Sequence, residues 1–233
     1  MKKVRKTSVI MNGPILCYSG EWTRLAAMNV LCQEAHPESE VVCFSDTGRL
    51  LCHSAQLRPQ LLVLAITART SVSFLYRVRR QNPNVAVIIL QDEIRIIDEA
   101  VSDYIGRAML LNISGMHPDD LRERLESAKG QVVALPSPGR RFFYYCGEDS
   151  PFRVTIMMEI ESCLYKRLSA KTRSARLREE AMRWFSQAVT VPQLAGMYGI
   201  AARIIYQRRS TLCQILKTRP SELPFSLRAE WGE

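Results

Sequence analysis

LLVLAITARTSVSFLYRVRRQNPNVAVIIL, residues 61–90, decides the fold. LLVLAI (61–66) and VAVIIL (85–90) are unbroken apolar runs. Neither alternates as a strand with one wet face does, so each reads as a central parallel strand covered on both sides. Between them VSFLYRVRRQ (72–81) has helical character, and the turn NPN (82–84) stops it.

The same alternation extends in both directions. Upstream, SVIM (8–11) reads as a first strand, with a helix from about Glu21 to Glu34. EVVCF (40–44) is a second strand, and TGRLLCHSAQ (47–56) a helical segment after it. Downstream come a helix at IRIIDEAVSDY (94–104), a fifth strand at RAMLLNI (107–113) and a helix at HPDDLRERLESAKG (117–130). The last opens on Pro with two acidic residues and ends on Gly, which suits both helix ends. Five strands alternating with five helices predict an α/β fold built on a five-stranded doubly wound parallel sheet over 1–130.

A break follows. Residues 130–152 hold three Pro and three Gly with no sustained period, so 131–152 reads as a linker. From Val154 to about Ala170 the chain is helical, with Ile156, Ile160, Cys163, Leu164 and Leu168 on one stripe. Residues 153–172 therefore form a connecting helix, whose stripe packs on a neighbouring domain or on a second subunit. An all-α unit over 173–233 completes the domain reading.

Composition narrows the function. The chain has 233 residues, 47% apolar and 24% charged, which excludes collagen-like, low-complexity and wholly disordered classes. No apolar run reaches the roughly 18–20 residues of a membrane span. MKKVRKTSVIM is basic but too short in apolar residues for a secretory signal, so the expectation is a soluble cytoplasmic protein. Seven cysteines (Cys17, Cys32, Cys43, Cys52, Cys146, Cys163, Cys213) form an odd set without CxxC spacing. They read as buried thiols, with no metal site and no cofactor expected.

Charge is distributed unevenly. Of the net +9, residues 166–233 carry +8, with 13 Lys/Arg against 5 Asp/Glu. A basic C-terminal unit on a neutral body suggests a polyanion partner, although charge alone favours a solvated surface; double-stranded DNA becomes the partner class expected only with the helix pattern that follows. Within that unit LREEAMRWFSQ (177–187) is a helix. Thr190 then caps a second helix, VPQLAGMY, with Pro192 in its first turn. Gly199 ends it and AARIIYQRRSTLCQILK (201–217) is longer, giving a helix-turn-helix pattern.

Helical geometry divides the long helix. Ile205, Leu212 and Leu216 form an inward stripe with Arg208 and Arg209 on its flank. Ala202, Arg203, Tyr206, Gln207 and Ser210 face outward. Gln can bond the adenine N6/N7 edge and Arg the guanine O6/N7 edge. Arg208, Arg209, Lys217 and the Thr190 hydroxyl are the expected phosphate contacts.

Residues 178–217 resemble the DNA-binding domain of LuxR-type transcription regulators. AVTVPQLA (188–195) and YGIAARIIYQRR (198–209) stand at that family's Gly-Leu-Ser and Leu-Gly-Leu-Ser-x-x-Thr-Val-x-x-His segments. Ala188, Ala201, Ile204 and Arg208 depart from its Gly, Ser, Thr and His. Pro224 shortens or removes the fourth helix through which the family's domain dimerises.

The N-terminal unit resembles the receiver domain of NarL-type response regulators. RPQLLVLAI (58–66) overlays the receiver's phosphoacceptor strand and places Ala65 at the phosphoacceptor position. With Pro14 on the proline of the Asp-Asp-His-Pro motif, Met11 and Asn12 replace the Mg²⁺-binding acids, although the stretch to strand two is then several residues too long. Gln91 and Asn112 stand for the Thr/Ser and Lys that end strands four and five. The resemblance implies a receiver that is not phosphorylated and holds no Mg²⁺, since phosphoryl transfer needs the carboxylate and the cation needs oxygen ligands.

Three functions compete at this level. The first is a bacterial transcription regulator working without receiver phosphorylation, its N-terminal domain used for homo- or heterodimerisation. A protein–protein adaptor that pairs with another regulator is the second. The third is an enzyme on a doubly wound sheet, and it is not expected. MNGP, ITART and QDE after strands one, three and four contain no GxGxxG, P-loop or GxSxG motif.

Overall fold

Both unbroken apolar runs are central strands. The computed structural model describes residues 13–106, 108–128, 150–187, 189–216 and 218. In chain order the first unit contains β1 (Ile15–Ser19), α1 (Trp22–Ala35), β2 (Val41–Phe44), α2 (Thr47–Leu57) and β3 (Leu61–Ala65). It continues with α3 (Val72–Gln81), β4 (Ala86–Gln91), α4 (Ile96–Tyr104), β5 (Met109–Asn112) and α5 (Pro118–Ala128). All strand pairs are parallel and the order is β2-β1-β3-β4-β5. This is the expected five-stranded doubly wound sheet.

Alternation along the strands loads two apolar layers. Leu16, Leu62, Leu64, Val87 and Ile89 point toward the layer that includes α3 and α4, whereas Ile15, Cys17, Val63, Ile88 and Leu90 lie in the layer of α1 and α5. Every residue of β3 is buried, as a continuous apolar run requires of a strand covered on both sides.

Strand one corrects the sequence reading. SVIM (8–11) lies outside the described residues, and β1 is the more mixed segment ILCYS. Register pairs Ser19 with Ala65, so β1 ends beside Ala65 at Ser19, Gly20 and Glu21 rather than at Met11 and Asn12. The excess length between strands one and two disappears with this shift. ILCYS was missed because Cys, Tyr and Ser dilute its apolar signal, while pairing with both β2 and β3 buries it regardless.

The C-terminal helices are α6 (Ser150–Lys171), α7 (Ala175–Gln187), α8 (Val191–Tyr198) and α9 (Ala202–Leu216). Helix α6 starts several residues before the expected Val154, because a proline at position 151 loses no helical bond in a first turn. Its Ile156, Ile160, Leu164 and Leu168 are buried in the same apolar cluster as Ile97, Val101 and Tyr104 of α4. The predicted stripe thus packs within the chain. Arg167 completes the seam, donating to Asp103 at 2.6 Å and to Glu99 at 2.8 Å. Burial works against that guanidinium's charge, and the two carboxylates outweigh it and raise its pKa. The cluster then runs on through Ala181, Trp184 and Phe185 of α7 to Leu194 of α8 and Ile205 and Leu212 of α9. Among the described residues no helix is long and apolar enough to cross a membrane.

Leu164→Ala is expected to destabilise the protein by about 2–5 kcal/mol through the cavity it leaves at this seam. Arg167→Ala, losing partly exposed ion pairs, is expected to cost about 1 kcal/mol. Urea denaturation of the full chain checks both, and equal losses would contradict an apolar origin for the seam.

Candidate functional site

The connection between α8 and α9 is a three-residue turn, Gly199–Ala201. Gly199 adopts the left-handed conformation (φ 62°, ψ 33°), which ends α8 and turns the chain. Its N–H donates to Gly196 and that of Ile200 to Ala195, satisfying carbonyls at the end of α8. At the other end Thr190 is the N-cap: its N–H and its hydroxyl both donate to Gln193 Oε1, at 2.7 and 2.8 Å. That hydroxyl, expected at a phosphate, is engaged within the helix start.

Burial along α9 separates two faces. Ile205 and Leu212 are fully buried and Leu216 half-buried, while Arg203, Tyr206, Gln207 and Ser210 are exposed and Ala202 is half-buried. Ile204 is 39% and Tyr206 57% exposed, large values for apolar and aromatic side chains. Arg203 makes no hydrogen bond or ion pair among the described residues. Sequence reasoning left Thr211 and Gln214 off this face, although both are exposed at helical spacing from Gln207.

Arg208, expected at a phosphate, is paired within the chain. It donates to Glu180 of α7 at 2.6 Å, and Arg176 Nε reaches the same carboxylate oxygen at 3.4 Å. Glu180 is fully buried, so its charge requires such a partner. The signal was present in LREEAMRWF, where an acid lies on the same stripe as Ala181 and Trp184. Arg209 is half-buried, and Lys217 lies outside the described residues. Other cations of this unit are also spent inside it. Arg183 reaches Glu179 at 3.2 Å, and the guanidinium groups of Arg176 and Arg183 stand over the Tyr198 ring at 5.2 and 5.7 Å. Arg203 is thus the outer cation of α9 with its guanidinium uncommitted among the described residues.

The carboxyl end of the sheet is the second place to look, because open α/β sheets bind ligands there. Ala65 ends β3 with no ligating atom. Ser19 Oγ accepts the Glu21 N–H at 3.1 Å. Gln91 is buried, and its Oε1 accepts the Ala68 N–H at 3.0 Å, tying the three-residue 3-10 turn after β3 (Ala68–Thr70) to β4. Asp98, fully buried at the start of α4, accepts from the Arg69 N–H at 2.9 Å, from Arg69 Nη1 at 2.7 Å and from the Arg95 N–H at 2.9 Å. The exposed acids Glu21 and Asp92 are both bridged by Arg24, at 3.5 and 3.2 Å. Thr70 donates to the Thr67 carbonyl, and neither Thr67 nor Ser71 makes a side-chain cap bond. These groups do not fit Mg²⁺, which needs converging, uncommitted oxygens. No cluster of three His, Cys, Asp or Glu among the described residues is placed to hold a metal ion.

Comparison with known proteins supports the architecture. No family model matches the sequence, and no curated protein matches it by sequence. Among solved structures, the response regulator RcsB in complex with DNA superposes with a TM-score of 0.53 at 16% identity, covering 89% of this chain and 93% of that one. A structure of two RcsB dimers on two parallel DNAs gives 0.53 at 15% identity over 89% and 93%. Full-length FixJ from B. japonicum gives 0.44 at 16% identity over 94% and 97%. The fold matches that of the solved RcsB structures. At such identity the likeness extends to the sheet and the appended helices as an architecture, and no further.

Two outcomes are expected from this geometry. Arg208→Ala removes the shorter of the two cation contacts to the buried Glu180 carboxylate, leaving Arg176 at 3.4 Å, and is expected to cost about 1–3 kcal/mol. Glu180→Gln keeps an acceptor for Arg208 and should cost clearly less in the same thermal or urea titration. Ala201→Ser, which supplies the missing hydroxyl at the N-cap of α9, is expected to stabilise by about 1 kcal/mol.

Proposed function

We propose that this chain is a DNA-binding transcription regulator whose α8–α9 pair reads the major groove and whose receiver-like unit works without phosphorylation. The observation that carries the reading is the exposed face Arg203, Tyr206, Gln207 and Ser210 on a helix seated by Ile205 and Leu212. Arg203 and Gln207 have the donors and acceptors that distinguish base edges, and Tyr206 adds an aromatic surface. Between Glu180 and Glu222 the sequence holds no Asp or Glu at all, so nothing acidic on α8 or α9 opposes a polyanion. The functional units in this reading are 1–130, a linker at 131–152, the connecting helix 153–172 and the DNA-binding unit 173–233. RcsB, solved on DNA with a comparable arrangement of units, is consistent with it.

Phosphoryl transfer has no acceptor in the receiver-like unit. Ala65 offers no carboxylate, and the exposed acids after β1 and β4 are paired, Glu21 and Asp92 with Arg24 and Glu93 with Arg95. With that input gone, the N-terminal unit serves association, either with a second copy or with another regulator.

Selection of genomic fragments by the purified full-length protein tests the proposal. An enriched motif is expected, and it should vanish when Arg203, Tyr206 and Gln207 are all changed to Ala. Single changes at Tyr206 or Gln207 should shift base preference by about 1–3 kcal/mol per lost contact. Arg209→Ala should weaken all DNA alike and flatten the salt dependence. Selection of no motif would transfer the function to protein pairing. Incubation with a small-molecule phosphodonor should leave the chain unphosphorylated by intact mass.

A further inference from the structure

Three cysteines that are distant in sequence meet beneath α1. Cys17 on β1 and Cys43 on β2 are direct register partners, so their side chains leave the same face of adjacent parallel strands. Cys32 comes down from α1, and the Cys17 thiol donates to it at 3.6 Å. Cys17 and Cys32 are fully buried and Cys43 is half-buried. All three are free thiols.

The three differ in reactivity. β2 is the edge strand of the sheet, so Cys43 is the thiol that solvent reaches. The neighbouring Cys17 thiol lowers the Cys43 pKa and outweighs the opposing effect of burial. Cys17 is driven the other way, by its bonds to Cys32 and Cys43 and then by burial. A solvent-reached thiol whose pKa is lowered, directly opposite a buried thiol whose pKa is raised, is the arrangement of an attacking and a resolving cysteine. Neighbouring strands lie about 4.8 Å apart, within the roughly 4.4–6.8 Å that Cα atoms joined by a disulfide span.

We propose that Cys43 and Cys17 form a dithiol modification site oxidised by hydroperoxides. The Cys43 thiolate attacks one peroxide oxygen; an S–O bond forms, the O–O bond breaks, and the alkoxide or hydroxide leaves and is protonated. Cys17 sulfur then attacks the Cys43 sulfenic acid; the S–S bond forms, the S–O bond breaks, and hydroxide leaves with the Cys17 proton as water. In sum, two thiols and one hydroperoxide give one disulfide, one alcohol (water from hydrogen peroxide) and one water. Cys32, in contact with Cys17, can receive the bridge by thiol–disulfide exchange. The site gives the receiver-like unit a covalent input that needs no phosphoacceptor, and it does not rest on the DNA-binding reading.

Hydrogen peroxide added to the reduced full-length protein, followed by peptide mapping without reductant, tests this. In a Cys32→Ala background, where exchange is blocked, the expected product is a Cys17–Cys43 linked peptide with loss of about two free thiols per chain. Cys17→Ala should leave a Cys43 sulfenic acid that dimedone traps. Cys43→Ala should slow peroxide consumption by about tenfold or more, since the thiolate is the reactive form. Circular dichroism of each variant shows that it is folded. Oxidation confined to the exposed Cys52, or unchanged peroxide consumption by Cys43→Ala, would overturn the assignment.

Discussion

The contact of α6 with α4 is the constraint on which everything beyond the sheet depends. A parallel sheet must be covered on both faces, and α4 is part of one cover. In this chain α4 also presents Ile97, Val101 and Tyr104 to the cluster that takes in Ile156, Ile160, Leu164 and Leu168. Burial of those side chains supplies the driving force, and the Arg167 pairs with Glu99 and Asp103 set the register, because ion pairs constrain geometry more than they add stability. Tyr104 belongs to the same seam: burial, followed by the nearby Glu159 of α6, pushes its phenol pKa up. The apolar cluster is continuous from the sheet to α9, so the outer helix is positioned by the same core that closes the sheet.

Internal satisfaction of charge explains the carboxyl end of the sheet. In open α/β sheets this edge is where ligands bind. Here Gln91 and Asp98 hold the turn after β3 against β4 and α4 with their own hydrogen bonds, Arg24 spans Glu21 and Asp92, and Arg95 holds Glu93. A buried carboxylate with three donors is a structural anchor, and releasing it would leave its charge without compensation. The edge is built as a fixed joint.

The same economy governs the basic unit. Its surplus of arginine suggests a uniformly cationic surface, yet Arg176 and Arg208 close on the buried Glu180 and Arg183 on Glu179. The positive charge therefore does two jobs. Part of it orients α9 against α7, and Arg203 is left outward beside Tyr206 and Gln207. Internal pairing and outward exposure fall to different residues of one helix, which is why total charge is a poor guide to where each cation sits.

Much of this was legible in the amino-acid order, because periodicity and punctuation are local properties. The runs at 61–66 and 85–90 announced buried strands, NPN and Gly199 marked helix ends, and the two faces of α9 followed from 3.6 residues per turn. Strand β1 was not legible, since ILCYS owes its burial to neighbours on both sides rather than to its own composition. Partners were hidden for the same reason. Nothing local shows that Asp98 meets Arg69, that Glu180 meets Arg208, or that Arg167 crosses to α4. Cys17, Cys32 and Cys43 read singly as small buried apolar residues, and strand register together with the seat of α1 brings them into contact. Strand β1 apart, residue order alone determined which elements form and which way each faces. Only the tertiary structure decided which charges and thiols face one another, because a buried polar group takes its partner from whichever element packing places opposite it.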